Sequence, residues 1–417
     1  MPPILNRVGI IRAMGSGSSK NSSQKNTPAA APPSRASEKS THSSRKRLSV
    51  LGEGGPSDGS DSPLAAQGAS SASGSSSCDL LFAYDIAVKP GFDPEDENES
   101  KECQDETLVI EGFMNDPKKV LVCVFDGHGT NGRKAATWCK REFPKLLQIS
   151  VGKGLNEQEA LKEACQGTED GLAKSGFDVY FSGSTATFLI IDDKTMHFSW
   201  VGDSRAVLAL QPGSSSKVIA KEMTHDHKPD DPKEKARIQS SGGVVQAVGD
   251  EDDSPMRIFS KEMLDEGRWA PGLAMSRSVG DLLATSLGAI PLADYEKHEM
   301  EGNESFVIMA SDGLWEVFDN DEAVKWVHSY AMRKKEASGV LPGHATGATM
   351  MTTAQAIAEE AQRRWCSTFN EEVVVDDTSV IIIWLNNNVY NFGDSHITVL
   401  DHHSVPHRKR KASLVVQ

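Results

Sequence analysis

Long apolar runs are missing from this 417-residue chain: no stretch approaches the roughly 18 apolar residues that a membrane-crossing helix requires. Cysteine is sparse and unpatterned. The six residues, at positions 78, 103, 123, 139, 165 and 366, form no CxxC pair and no zinc spacing. That excludes a zinc-finger framework and argues against structural disulfides, so a reducing cytoplasmic compartment is expected, with the nucleus as the alternative. No internal repeat is visible. Residues 1–13 are too short, and too interrupted by Arg7 and Arg12, for a secretory signal.

Charge is unevenly spread. The net charge of −15 divides into +8 over residues 1–50, +2 over residues 386–417 and hence −25 over residues 51–385. So acidic a body lacks the basic surface that a polyanion needs, and no nucleic-acid partner is expected. Residues 15 to about 77 are rich in Ser, Ala, Gly and Pro without apolar periodicity. Such a segment buries too little surface to offset its ordering entropy and reads as disordered. Three parts follow: a basic arm over 1–78, a folded domain over 79–386 and a polar, basic tail over 387–417. A monomer is expected.

Within the domain, residues 120–125, 306–310 and 380–384 are continuous apolar runs, read as strands buried on both faces. Residues 185–191, 196–201 and 206–210 are closely spaced strand candidates of the hairpin kind. Helices are expected over 133–147, 157–174, 232–240, 321–334 and 353–365, with Asn156 and Glu159 at capping-box spacing. The layout is α+β: hairpin-built sheets covered by helices.

Aspartates fall at the ends of these strands. Residues 120–125 run into Asp126-Gly127-His128-Gly129, residues 306–310 into Ser311-Asp312-Gly313, and residues 380–384 follow Asp376-Asp377. If the third strand is antiparallel to the other two, all three carboxylates meet at one rim of a sheet. Clustered carboxylates repel and raise one another's pKa unless a cation neutralises them. All-oxygen ligands select Mg²⁺ or Mn²⁺. Gly127 and Gly313 would let the backbone approach closely. A single Asp-Gly after a strand is ordinarily just a turn; three aspartate sites at the ends of buried strands open the alternative of a metal site. Asp203, after the 196–201 strand, and Glu316, four residues past Asp312, could hold a third, weaker cation or be solvated loop and helix-start acids.

At these residues the sequence resembles the protein phosphatase 2C family (PPM type). The matching segments run in the family's order over about residues 80–385: Val124-Phe-Asp-Gly-His-Gly129, Gly183-Ser-Thr-Ala186, Val201-Gly-Asp-Ser-Arg205, His225-Asp-His-Lys-Pro229, Leu273-Ala-Met-Ser-Arg-Ser-Val-Gly-Asp281, Ala310-Ser-Asp-Gly-Leu-Trp315 and Asp376-Asp-Thr-Ser-Val380. The resemblance implies a two-sheet antiparallel β-sandwich flanked by helices, two Mn²⁺ or Mg²⁺ ions in a cleft at one end, and hydrolysis of phosphoserine and phosphothreonine in proteins. It implies that Asp126 bridges both ions, that the Gly127 carbonyl binds one of them and that Asp312 and Asp376 bind the other. Water between two cations is acidified enough to attack phosphorus near neutral pH. His128 is then the candidate general acid for the leaving oxygen; its alternative is a hydrogen-bonded turn histidine.

One stretch departs from the family. Where members carry Arg followed by Met-Glu-Asp, or Lys followed by Asn-Gln-Asp, this chain has Lys101-Glu-Cys-Gln-Asp105. Asp105 supplies a further carboxylate, and Lys101 stands nearest the phosphate-gripping position, shifted by one residue. Lysine grips phosphate only as a point charge. A non-catalytic, phosphoprotein-binding or scaffolding relative is therefore the alternative function, and a two-metal nuclease a weaker one. His225 and His227 read as loop residues, as do the tail histidines. The 250–269 segment reads as an insertion bearing on substrate choice.

The ends carry signals of their own. Met14-Gly-Ser-Gly-Ser-Ser19 fits N-myristoylation at Gly15 if translation starts at Met14, and seven basic residues follow between Lys20 and Arg47. A lipidated basic arm would hold an inner membrane surface. Ser49 and Ser413 follow basic clusters suited to regulatory kinases, clusters that alternatively serve nuclear import or are simply solvated.

Overall fold

The structure, a computed structural model, describes residues 80–92, 102–212, 217–248, 254–338, 351–368, 374–385, 396–400 and 414–416. Gly15, Ser49, Lys101 and Ser413 lie outside the described residues, as does the arm over 1–78.

Twelve strands build two antiparallel sheets. In chain order they are β1 (Leu80–Lys89), β2 (Glu106–Glu111), β3 (Lys119–Phe125), β4 (Ala186–Asp192), β5 (Thr195–Val201), β6 (Arg205–Leu210), β7 (Ile219–Glu222), β8 (Asp294–Glu299), β9 (Glu304–Ala310), β10 (Thr378–Trp384), β11 (His396–Leu400) and β12 (Leu414–Val416). One sheet runs β11-β1-β10-β9-β6-β7, the other β8-β5-β4-β3-β2-β12. The edge strands β11 and β12 come from the segment read as tail; they pair with β1 and β2.

The continuous apolar runs are what a four-layer packing requires. Val120, Val122 and Val124 of β3 meet Val307 and Met309 of β9 and Ile381 and Ile383 of β10 in a core between the sheets. The intervening Leu121, Cys123 and Phe125 face the other way, against α1 (Gly132–Gly152) and α2 (Glu157–Leu172). Phe306, Ile308, Val380 and Ile382 do the same toward α4 (Asn320–Ser338) and α5 (Thr353–Thr368). A strand covered on both faces cannot alternate polar and apolar residues. Truncating one of these buried side chains to Ala costs about 2–5 kcal/mol.

The helices obey their sequence signals. Asn156 Oδ1 accepts from the Glu159 N–H at 2.9 Å, the first half of the capping box. Asp231 and Pro232 open α3 (Pro232–Ser240), the Asp231 carboxylate accepting from Lys233 N. Asp85, buried in the middle of β1, accepts the Thr353 N–H at the start of α5, a favourable place for negative charge.

Part of the 250–269 segment, read as an insertion, forms regular structure among the described residues. Residues Met256–Ser260 pair with Gly243–Ala247 and with Pro271–Leu273 to make a separate three-stranded sheet.

Candidate metal centre

The strand ends converge, though not as the sequence pattern predicts. That pattern puts the three aspartate-bearing strands in one sheet. In the structure β9 and β10 are antiparallel neighbours, Ala310 facing Val380, whereas β3 belongs to the opposing sheet. Asp312 and Asp376 therefore come from one layer and Asp126 from the other, and the site spans the end of the sandwich. An unbroken apolar run reports two-sided burial but carries no information about which sheet a strand joins, hence the correction.

Short contacts fix the backbone around Asp126 and the carboxylates of Asp105 and Asp377. The Asp126 N–H donates to Thr185 Oγ1 at 3.0 Å and its carbonyl accepts from Thr185 N at 2.8 Å. Ser311 Oγ donates to Asp105 Oδ2 at 2.8 Å while accepting from Ser379 N at 2.9 Å, which ties the entries of β2 and β10 to the exit of β9. Glycine is required twice. A Cβ on Gly313 would stand 2.0 Å from the Asp377 carbonyl oxygen, and one on Gly127 2.4 Å from that of Gly132. Adjacent Asp376 and Asp377 divide their work. Both oxygens of Asp377 accept backbone N–H groups, from Gly91 at 2.6 Å and Gln104 at 2.8 Å. Asp377 thus holds two loops, and Asp376 is left at the rim, accepting from Asp377 N.

The rim is electrostatically loaded. Burial pushes the Asp126 carboxyl well above the usual range, and repulsion from Asp105, Asp312, Asp376 and Asp203 adds to it. Asp312 is raised by burial and by Asp376, Asp203 and Glu316. Asp105 is raised to about 7 by burial and Asp377. One oxygen each of Asp105, Asp203 and Asp312 is buried without a hydrogen-bond partner. Buried, unsatisfied, mutually repelling carboxylates are costly, and hard divalent cations are the groups that their chemistry fits.

Two cations of the chain itself answer part of that charge, and sequence reasoning singled out neither. Lys228 Nζ lies 2.5 Å from Asp203 Oδ2. Burial alone would raise Asp203, yet Lys228 holds it below the usual range, and the Lys228 ammonium also feels Glu316. A resident ammonium thus competes for the place between Asp203 and Glu316. Arg257, on the small three-stranded sheet, donates to the Gly272 carbonyl and lies in the field of Asp203, Asp312 and Glu316.

His128 is held by Asp281, Nε2 to Oδ2 at 2.6 Å, while Nδ1 is buried without a partner. Asp281 adopts left-handed backbone angles, receives the Ser278 hydroxyl and abuts Gly183, where a Cβ would stand 2.2 Å from its carboxylate. Burial alone would lower the His128 pKa; attraction to Asp281 more than offsets this and raises it. His225 and His227 diverge: the exposed His225 meets Glu222, whereas buried His227 accepts from Gly202 N and meets Asp294.

A trio elsewhere, Glu157, Asp192 and His197, has its ligand atoms within 4.8 Å of one another among the described residues.

Comparison with known proteins agrees with this architecture. Residues 92–368 match the family model described as Protein phosphatase 2C. A rice protein, probable protein phosphatase 2C 12, is 34% identical over 331 residues, which cover 68% of this chain and 78% of its own length. Rice probable protein phosphatase 2C 64 is 30% identical over 299 residues, 70% of this chain but only 64% of its own length. A solved serine-threonine phosphatase 2C from Toxoplasma gondii superposes with a TM-score of 0.58 at 19% identity, over 73% of this chain and 95% of its own, a likeness of fold. Fold and family model together define the class of protein serine/threonine phosphatases, in which metal dependence is typical. Within it, the chain belongs to the protein phosphatase 2C family.

Proposed function

We propose that this chain hydrolyses phosphoserine and phosphothreonine in proteins, using two Mn²⁺ or Mg²⁺ ions held by Asp126, the Gly127 carbonyl, Asp312 and Asp376, with Asp105 as a further acid. The observation that carries the reading is the set of buried carboxylate oxygens without partners at the sandwich end. Bound there, the ions would acidify water and neutralise charge on the phosphoryl group. The remaining work falls to the chain. His128 gives the leaving oxygen its proton, and Asp281 keeps the imidazole oriented through Nε2. Arg257, a guanidinium in the field of the rim acids, grips the substrate phosphate together with Lys101, and Lys228 limits repulsion between the phosphate and Asp203.

Release of phosphate from a phosphothreonine peptide, measured with and without Mn²⁺ in wild type and Asp312→Ala, tests the proposal. Metal-dependent turnover confined to the wild type supports it, and equal rates in the two proteins sink it. Loss of the rim acids would favour the non-catalytic alternative, whose support is the segment around Lys101; Asp126, Asp312 and Asp376 are all present. No helix among the described residues is long and apolar enough to cross a membrane.

A further inference from the structure

At the far end of β4, away from the rim, the outer face of the second sheet changes character. Ile191, Met196 and Phe198 point into the core between the sheets. Strand alternation therefore turns Asp192 and His197 toward the outer layer, where Phe188 and Ile190 pack under the helices. Glu157 is the first residue of α2, which crosses this face. Asp192 ends β4, six residues from its rim end, so the two ends lie about 20 Å apart at the usual rise per residue.

His197 is only 5% exposed. Its Nδ1 is bonded to the Tyr295 hydroxyl at 2.8 Å, and among the described residues Nε2 has no hydrogen-bond partner. An imidazole anchored through one nitrogen and open at the other, beside two carboxylates, has the arrangement in which a histidine serves as a metal ligand with its orientation fixed from behind. The cations already in this layer are Lys119, whose ammonium lies 2.8 Å from Asp192 Oδ2, and Lys297 on the neighbouring strand β8. Among the described residues, Lys119 bonds to Asp192 and attracts Glu157 without a hydrogen bond to it, and it leaves the imidazole nitrogen without a donor or ligand. Glu157 also complements the positive end of α2, a role that requires no ion.

We propose that Glu157, Asp192 and His197 form a second cation site, selective for a zinc-class transition ion, at the end of the sandwich opposite the rim. One imidazole with two carboxylates suits zinc and its neighbours, whereas the all-oxygen rim suits Mg²⁺ or Mn²⁺. An ion there would pin the start of α2 to the β4–β5 hairpin. Its role is structural and independent of whether the rim is catalytic.

The test is equilibrium dialysis of the full-length chain against Zn²⁺ with elemental analysis, in an Asp126→Asn/Asp312→Asn background that disables the rim. One Zn²⁺ per chain is expected, resistant to excess Mg²⁺, with one imidazole nitrogen among its ligands by zinc-edge X-ray absorption. His197→Gln should weaken binding by about tenfold or more, and so should Glu157→Gln. Glu157 is half-buried at a helix start, so its variant keeps the test decisive if the His197 variant does not fold. No Zn²⁺ bound in the background, binding unchanged by Glu157→Gln as tail histidines would give, or displacement by equal Mg²⁺ would each overturn the proposal.

Discussion

Two acidic clusters in this molecule behave in opposite ways. Around Glu234, carboxylates are matched with guanidinium groups. Glu234 accepts from Arg277 through both oxygens at 2.9 and 3.1 Å, from Arg237 at 2.7 Å and from Ser276 at 2.7 Å, while Arg277 also reaches Asp294 at 2.7 Å. Burial would raise the Glu234 pKa, but these partners bring it down to about 2. At the rim, Asp126 and Asp312 lack such partners among the described residues, and both are raised well above the ordinary range. The same residue type stabilises the fold in one place and strains it in the other. Strain of this kind persists where a ligand is meant to relieve it.

The largest effect expected from breaking that contrast is at the rim. Asp312→Ala should lower phosphothreonine-peptide turnover by about 10³-fold, beyond the roughly 10–100-fold typical of groups that only support a metal ligand. Stripped of metal, the same variant should melt higher than the metal-free wild type, because one repelling charge is gone. A lower melting temperature would show that Asp312 contributes to stability as Glu234 does, and the contrast would collapse.

His128→Asn comes next. General acid catalysis supplies about 10²-fold or more, so turnover of the phosphothreonine peptide should fall by about that factor. Hydrolysis of p-nitrophenyl phosphate, whose leaving group departs without a proton, should fall much less. Equal losses on the two substrates would reduce His128 to a hydrogen-bonded turn residue.

In the matched cluster the effect is on stability. Glu234 is 6% exposed, and its shift from 4.5 to about 2 corresponds to about 3 kcal/mol. Because the folded-state pKa is the depressed one, this contribution is present above pH 4.5 and is lost as pH falls from there through about 2. Glu234→Gln should lower stability by about that amount at pH 7 and flatten the acid limb of the stability profile in that window, as read by denaturant titration. An acid limb identical to the wild type would mean that Arg237 and Arg277 are satisfied without the Glu234 charge.

What was legible in the sequence follows from how far each signal reaches. Burial of β3, β9 and β10 on both faces shows in consecutive apolar residues, and α3 shows in Asp231-Pro232. Edge strand β8, Asp-Tyr-Glu-Lys-His-Glu, shows nothing of the kind, because one side of an edge is solvated and its charges blur the pattern. Leu80–Lys89 lacks a clean strand pattern because Asp85 sits in its middle, present for α5 rather than for the strand. At the site, the acids could be picked out because each follows or precedes a buried strand. Their partners could not. Asp281 meets His128 across 153 residues and Lys228 meets Asp203 across 25. Motif segments name residues without naming pairs, and membership of opposing sheets is a tertiary fact.

Arg257 sharpens the contrast last and least. It stands between the two regimes: a guanidinium in the field of Asp203, Asp312 and Glu316 that, among the described residues, makes none of the bidentate pairs seen at Glu234 and donates to the Gly272 carbonyl. Burial lowers its pKa although those acids pull it upward, so the rim supplies attraction without close contact. A phosphate arriving there would give the guanidinium the two-pronged partner that it lacks. Arg257→Ala should therefore raise KM for a phosphothreonine peptide about tenfold, the scale of one charge-assisted hydrogen bond, and leave kcat nearly unchanged. Arg257→Lys should recover only part of the loss, because an ammonium cannot grip two oxygens at once. If kcat fell while KM stayed fixed, Arg257 would belong with the charge-balancing residues around Asp203, and phosphate recognition would have to be sought elsewhere on the rim.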